Sequence, residues 1–258
     1  MLVTAGMLHI LRGTDGADLW VHEIPGNIGP VGAGGPPTIA DFDGDGRPEI
    51  GVANGGRYTV FDPGCGGPSP ELDCFGDGIR WSNPTDDSSS SVTGSAVFDF
   101  DGDGAAEVVY NDQRYFRLYD GRTGIERFNE NNSSRTRTEY PVVADVDNDG
   151  SAEIVFAANN EASFLTTYFN AGIEVWGSSH DFWVGARRVW NEHIYHVTNV
   201  TEDGRIPAVE EPSWTALNSY RQNLAENRDA LASPDLRGLA DGPATCVAGQ
   251  ARLNVRVE

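Results

Sequence analysis

One twelve-residue pattern is written three times in this 258-residue chain, and it limits the possible folds more than any other feature. The first copy reads Ile39-Ala40-Asp41-Phe42-Asp43-Gly44-Asp45-Gly46-Arg47-Pro48-Glu49-Ile50; the others run from Val97 to Val108 and from Val143 to Ile154. Their first aspartates, Asp41, Asp99 and Asp145, are 58 and 46 residues apart, the length of one four-stranded propeller blade. Apolar runs flank each copy, such as Thr38-Ile39-Ala40 before it and Ile50-Gly51-Val52-Ala53 after it, and read as two strands across a tight loop. A second hairpin signal recurs: Ile10-Leu11-Arg12-Gly13-Thr14-Asp15-Gly16 with Trp20 aligns, at a constant offset of 108, with Leu118-Tyr119-Asp120-Gly121-Arg122-Thr123-Gly124 with Phe128. Thr59-Val60-Phe61 and Ile79-Arg80-Trp81 take the same place in the first full repeat, with a cysteine-containing loop between them. Each repeat therefore supplies about four strands, and the chain is predicted to be all-β.

Aspartates at positions 1, 3 and 5 of a loop set three carboxylates around one point, and glycine at position 6 permits the sharp turn that returns later groups to it. Oxygen donors select a hard cation. The candidate ligands are Asp41, Asp43, Asp45 and Glu49 in the first loop, Asp99, Asp101, Asp103 and Glu107 in the second, and Asp145, Asp147, Asp149 and Glu153 in the third. The backbone carbonyls of Arg47, Ala105 and Ser151 fall at position 7. Two carboxylates roughly 5 Å apart repel by about 3 kcal/mol at an effective dielectric near 20, so a metal-free loop is expected to loosen. Calcium is expected over magnesium, at about three sites, because a flexible loop rich in oxygen tolerates six to eight ligands. The alternative is plain acidic turns, since Asp and Gly favour turns in any case. An EF-hand does not fit: position 12 holds Val52, Tyr110 or Phe156 where a bidentate Glu is required.

The Asp-Phe-Asp-Gly-Asp-Gly-x-x-Glu loop followed by a β run resembles the FG-GAP/VCBS repeat family, to which the propellers of integrin α subunits belong. The resemblance covers residues 37–176 and implies blades closed into a ring with calcium loops on one side. With three complete repeats and the tail of a fourth at residues 8–24, an incomplete ring is expected. Residues 1–230 are assigned to the propeller portion, with the last blade and a closing segment at 177–230. Residues 231–258 read as a linker and the start of a truncated Ig-like or CARDB-like β-sandwich, on the alternation of Ala251, Leu253, Val255 and Val257.

The 39 acidic against 18 basic side chains give a formal charge of −21, which argues against nucleic acid as a partner. The 31 glycines and 14 prolines suit many turns between short strands. No run reaches the roughly 18 apolar residues that cross a bilayer, so membrane insertion is not expected. The first residues lack a basic n-region and a small-residue cleavage site, and are read as strand with no signal peptide. Cys65 and Cys74, in a Gly/Pro-rich segment, read as a local disulfide of an oxidising compartment; unpaired thiols are the alternative, and the eight-residue gap does not suit zinc. Cys246 is left over.

Residues 181–230 break the repeat. His193 and His196, with Glu192, Asp181 and Tyr195, offer acid/base groups, while alternating Trp183, Gly185, Arg187 and Val189 read as a strand closing on the last blade. Trp214, Leu217, Tyr220 and Leu224 are spaced for a short amphipathic helix or else lie in an ordered loop. No nucleophile elbow or phosphate-binding loop is present. The expected function is a non-catalytic calcium-binding module of an exported or cell-surface protein that binds a protein or glycan in adhesion. The alternatives are a propeller-fold polysaccharide lyase or hydrolase using Arg187, Arg188 and His193, and a structural spacer.

Overall fold

The central strands of the repeats are apolar at nearly every position because both of their faces are covered. The structure, a computed structural model, describes residues 2–4, 6–26, 34–66, 78–160, 168–180, 182–215 and 217–225, with four short strands beyond them. The strands form a series of antiparallel sheets, each joining neighbours in sequence. Sheet I holds β1 (Leu2–Thr4), β2 (Met7–Leu11) and β3 (Asp18–Glu23). Sheet II holds β4 (Thr38–Ala40), β5 (Glu49–Asn54), β6 (Arg57–Phe61) and β7 (Ile79–Pro84). Sheet III holds β8 (Ser95–Phe98), β9 (Glu107–Asn111), β10 (Tyr115–Tyr119) and β11 (Glu126–Asn131). Sheet IV holds β12 (Val142–Ala144), β13 (Glu153–Ala158) and β14 (Gly172–Trp176). None of the described sheets closes into a barrel.

The sheets stack face to face through three apolar layers. Leu8, Ile50, Val52 and Phe61 fill the layer between sheets I and II. Tyr58, Trp81, Val97, Val108, Tyr110 and Tyr119 fill the next. Phe98, Val109, Phe116, Ile154 and Phe156 fill the third, where the rings of Phe116 and Phe156 lie parallel with centroids 4.1 Å apart. Along β9, Val108 and Tyr110 point to sheet II and Val109 to sheet IV, so a period-2 strand buried on both faces reads as a continuous hydrophobic run. Each fully buried aromatic or aliphatic side chain contributes about 1.5–3 kcal/mol. Three sheets share one irregularity, a bulge between the last two strands at Ile10/Leu11, Val60/Phe61 and Leu118/Tyr119.

The short strands β4, β8 and β12 lie side by side at the inner edge of the stack. The Tyr58 hydroxyl is fully buried there, 2.7 Å from Ser95 Oγ and 3.1 Å from Thr38 Oγ1, joining sheet II to sheet III. Removing it leaves Ser95 and Thr38 only their longer bonds to each other and to Gly51 O, at 3.4 and 3.3 Å, so Tyr58→Phe is expected to cost about 1 kcal/mol, read as a lower urea midpoint at unchanged slope.

The segment after the repeats corrects the strand expected at Trp183–Val189 and decides for an ordered loop over a helix further on. Residues 182–200 pack on sheets III and IV through Trp183, Val184, Ala186 and Trp190, yet form no strand, only one isolated bridge from Ala186 to Ala225. Residues 217–225 are not a helix; a single 3-10 turn at Ser213–Thr215 precedes them and Trp214 is exposed. Their backbone groups are taken by the inner strands instead. Tyr220 exchanges hydrogen bonds with Ile39 at 2.8 and 3.0 Å, Val97 N–H donates to Arg221 O, and Asn223 Nδ2 donates to Val143 O. This segment therefore ties β4, β8 and β12 together, a pairing that competes with local i→i+4 bonds.

Near the chain end β15 (Gly238–Ala240) pairs with β18 (Val255–Val257), and β16 (Thr245–Val247) with β17 (Gln250–Arg252). Cys74 lies outside the described residues, as does Asp181, so neither the Cys65–Cys74 pairing nor a role for Asp181 has a structural counterpart here.

Candidate metal centre

All three acidic loops sit in the same place, at the hairpin between the first and second strands of sheets II, III and IV. They share one backbone fold. The position-1 carboxylate caps the turn: Asp41 Oδ1 accepts from Gly44 N at 2.6 Å and Oδ2 from Gly46 N at 2.8 Å, and Asp99 does the same with Gly102 and Gly104. Asp145 accepts from Asn148 N at 2.7 Å. The position-9 glutamates reach back across the loop, where Glu49, Glu107 and Glu153 accept from the N–H of Phe42, Phe100 and Val146 at 2.7–3.0 Å. Position 4 as well as position 6 is left-handed: Gly44 and Gly46 have φ of 80° and 87°, and Asn148 and Gly150 have 64° and 91°. The sequence pattern marks position 6; the structure adds position 4, where asparagine tolerates what other side chains do not.

The carboxylates converge, but not as complete sets of four. Ligand oxygens of Asp99, Asp101 and Glu107 lie within 4.8 Å of one another, as do those of Asp145, Asp147 and Glu153. In the first loop Asp41, Asp43 and Asp45 form one such group, and Asp43, Glu49 and Asp62 a second. Asp103 and Asp149 stand outside their groups. Each accepts the position-7 N–H, from Ala105 at 2.9 Å and Ser151 at 2.8 Å, and Asp103 is also ion-paired with Arg122. Arg47 N–H makes the same bond to Asp45, at 2.7 Å.

Burial raises the pKa of five of these carboxylates. Desolvation, with Asp43 and Asp62 close by, pushes Glu49 up to about 9; desolvation and Asp101 push Glu107 up to about 8. Asp43, Asp99 and Glu153 are raised for the same first cause. Converging carboxylates of this kind could hold a metal ion, whose charge would favour their ionised forms. Asp145 Oδ2 is buried and accepts no hydrogen bond; Arg188 Nε is ion-paired with it at 3.6 Å, from a side chain 58% exposed. A buried carboxylate oxygen without a hydrogen bond costs about 1–3 kcal/mol, which a long ion pair to a half-exposed arginine offsets only in part. The all-oxygen donor set and loop flexibility suit calcium.

Two further partners were not singled out from the sequence. Asp62, at the end of β6, joins the first loop; Asp120, its counterpart after β10, lies beside the second. An arginine on the fourth strand reaches each: Arg80 on β7 and Arg127 on β11, both one residue before the aromatic residue that pairs with the third strand. Arg80 is 2.6 Å from Asp43 and 3.7 Å from Asp62, and Arg127 is 2.6 Å from Asp101, 2.6 Å from Asp120 and 3.3 Å from Glu107.

The residues named for catalysis have separate engagements. Arg187 is buried and donates to the Tyr195 hydroxyl and to the carbonyls of Val197 and Val200, with Glu202 at 2.9 Å. His193 stacks on Tyr140, and burial lowers its pKa. His196 is bonded to Glu210. No candidate metal group among the described residues contains a histidine.

Residues 99–156, spanning the second and third loops, match the FG-GAP-like repeat. The chain is similar to the V. cholerae biofilm matrix protein Bap1, whose crystal structure matches 69% of it at 30% sequence identity with a TM-score of 0.59. The matched part spans 28% of that protein's chain. No curated protein matches.

Proposed function

Taking as premise that this chain carries FG-GAP-like repeats in a β-propeller-like fold, we propose that it is a calcium-braced, non-catalytic module of an extracellular matrix or surface protein, and that it holds a protein or glycan partner in adhesion. The carrying observation is the buried Asp145 Oδ2, which accepts no hydrogen bond, beside Asp147 and Glu153. Asp99, Asp101 and Glu107 would hold a second ion, and Asp41, Asp43 and Asp45, with Glu49 and Asp62 adjoining, a third. A bound calcium supplies the positive charge that lets these carboxylates stay ionised together. The residues themselves then fix the hairpins: each loop joins the inner strand of its sheet to the central one, so a held loop holds the inner edge. Further blades would complete the ring.

The match to a biofilm matrix protein supports an extracellular setting and an adhesive role. For the partner, the loop face offers a cleft of about 370 Å³ lined by Arg47, Phe98, Leu217, Asn218 and Gln222. Apolar side chains beside the amides of Asn218 and Gln222, with Asp41 and Asp99 also in the lining, suit a sugar or a peptide side chain.

Thermal unfolding with calcium and with chelator tests the first half. Calcium at a hundredfold excess over Kd is expected to add about 2.7 kcal/mol per site. Asp43→Asn, Asp101→Asn and Asp147→Asn together are expected to abolish the rise in midpoint. An unchanged midpoint in the wild-type chain would reduce the loops to acidic turns.

A further inference from the structure

The arginines on the fourth strands meet the loop carboxylates in one geometry repeated in two sheets. Arg80 bridges Asp43, at loop position 3, to Asp62 at the end of the third strand. Arg127 bridges Asp101, again at position 3, to Asp120 at the corresponding place. Each guanidinium is held where it stands. Arg80 is 7% exposed and its Nε donates to Arg122 O at 3.0 Å; Arg127 donates to Asp120 through both Nε and NH2, at 3.1 and 2.6 Å. The third loop lacks this arrangement. No arginine meets its position-3 carboxylate, Asp147, among the described residues; its basic neighbour Arg188, 58% exposed, is ion-paired at 3.6 Å with the position-1 Asp145 instead.

We propose that Arg80 and Arg127 are built-in counter-cations that oppose metal binding at the first two loops, leaving the Asp145 loop as the tight site. Resting on the calcium reading above, this assigns the three loops unequal affinities. Asp43 Oδ1 accepts the N–H of Asp45 and Oδ2 accepts from Arg80, so both oxygens are in use. Asp101 is placed identically, with Asp103 N–H on one oxygen and Arg127 on the other. An ion bound there must share or displace a charge-assisted bond, and two like charges that close repel. The same pairs keep the metal-free loops from springing apart, so the inner edge of sheets II and III survives calcium withdrawal while the Asp145 loop does not.

The test compares the wild-type chain with Arg80→Gln, Arg127→Gln and the double variant, by calcium titration calorimetry and by thermal unfolding in chelator. The wild-type isotherm is expected to show one tight and two weaker classes. Each single variant is expected to tighten one weak class about tenfold, the worth of one charge-assisted hydrogen bond, and to lower the chelator midpoint. Arg127, 35% exposed, carries the test if Arg80→Gln does not fold. Wild-type binding that is unchanged or weaker in the variants overturns this assignment and leaves the calcium reading standing. Binding seen only in the variants upholds the arginines as competitors and overturns the calcium reading for the natural chain. Binding in none overturns both.

Discussion

Replacing Arg221 by alanine is expected to remove about 3–5 kcal/mol of folding free energy, the largest loss from any single side chain outside the apolar layers. Arg221 is 2% exposed and has no carboxylate partner among the described residues. Its Nε donates to Ser95 O of β8 at 2.7 Å, its NH2 to Pro141 O just before β12 at 3.2 Å, and its NH1 to His193 O. The guanidinium plane lies over Tyr140 and Trp190, at 5.0 and 5.4 Å from the ring centroids. Burial lowers its pKa to about 10, so it keeps its charge at neutral pH. One planar fork thus collects carbonyls from three separate segments, which a lysine's point charge cannot do. Urea denaturation of Arg221→Ala and Arg221→Lys checks this. The lysine variant is expected to recover less than half of the loss, and a midpoint near wild type for alanine would show that the 217–225 segment does not hold the inner strands.

The second large effect is expected at Gly121. A Cβ built there would lie 2.1 Å from Ala106 O and 2.7 Å from Phe42 O, both backbone atoms of the packed loops. Its own carbonyl accepts the Trp81 indole N–H at 2.7 Å. Gly121→Ala therefore drives the β10–β11 turn into the acidic loop of its own sheet and into that of sheet II, and is expected to cost about 3 kcal/mol, the upper range for overpacking. Gly13→Ala is the matched control: the same place in the same turn motif, with no atom within 4 Å of the added carbon. It is expected to stay within about 0.5 kcal/mol of wild type. Equal losses in the two variants would mean that the turn conformation, and not the contact between sheets, forbids the side chain.

The acidic loops were legible because their geometry is local. Aspartates two residues apart, left-handed glycines and a returning glutamate are all set within nine residues. The strand order was legible for a related reason, since each hairpin is closed by its own turn. Asp62, Asp120, Arg80 and Arg127 were present in the sequence at equivalent places but arrive at the loops through strand pairing, 13–37 residues away in the chain. That residues 182–200 close on the last sheet was legible, but their lack of strand and the ties of residues 217–225 were not, because those backbone bonds go to strands far away in sequence.

The two copies of the Gly-x-x-Gly turn separate what was decided where. Gly16 and Gly124 have φ of 72° and 70°, and each donates to the carbonyl four residues earlier at 2.8 Å. The sequence by itself determined that turn, since only local sterics and one short hydrogen bond are involved. Yet a Cβ at Gly16 would meet open space, while one at Gly124 would lie 2.5 Å from the Trp81 ring. Which turn is buried, which position-3 carboxylate meets an arginine and which carboxylate oxygen is left without a hydrogen bond were decided only by tertiary packing, because those contacts join residues that no local pattern relates.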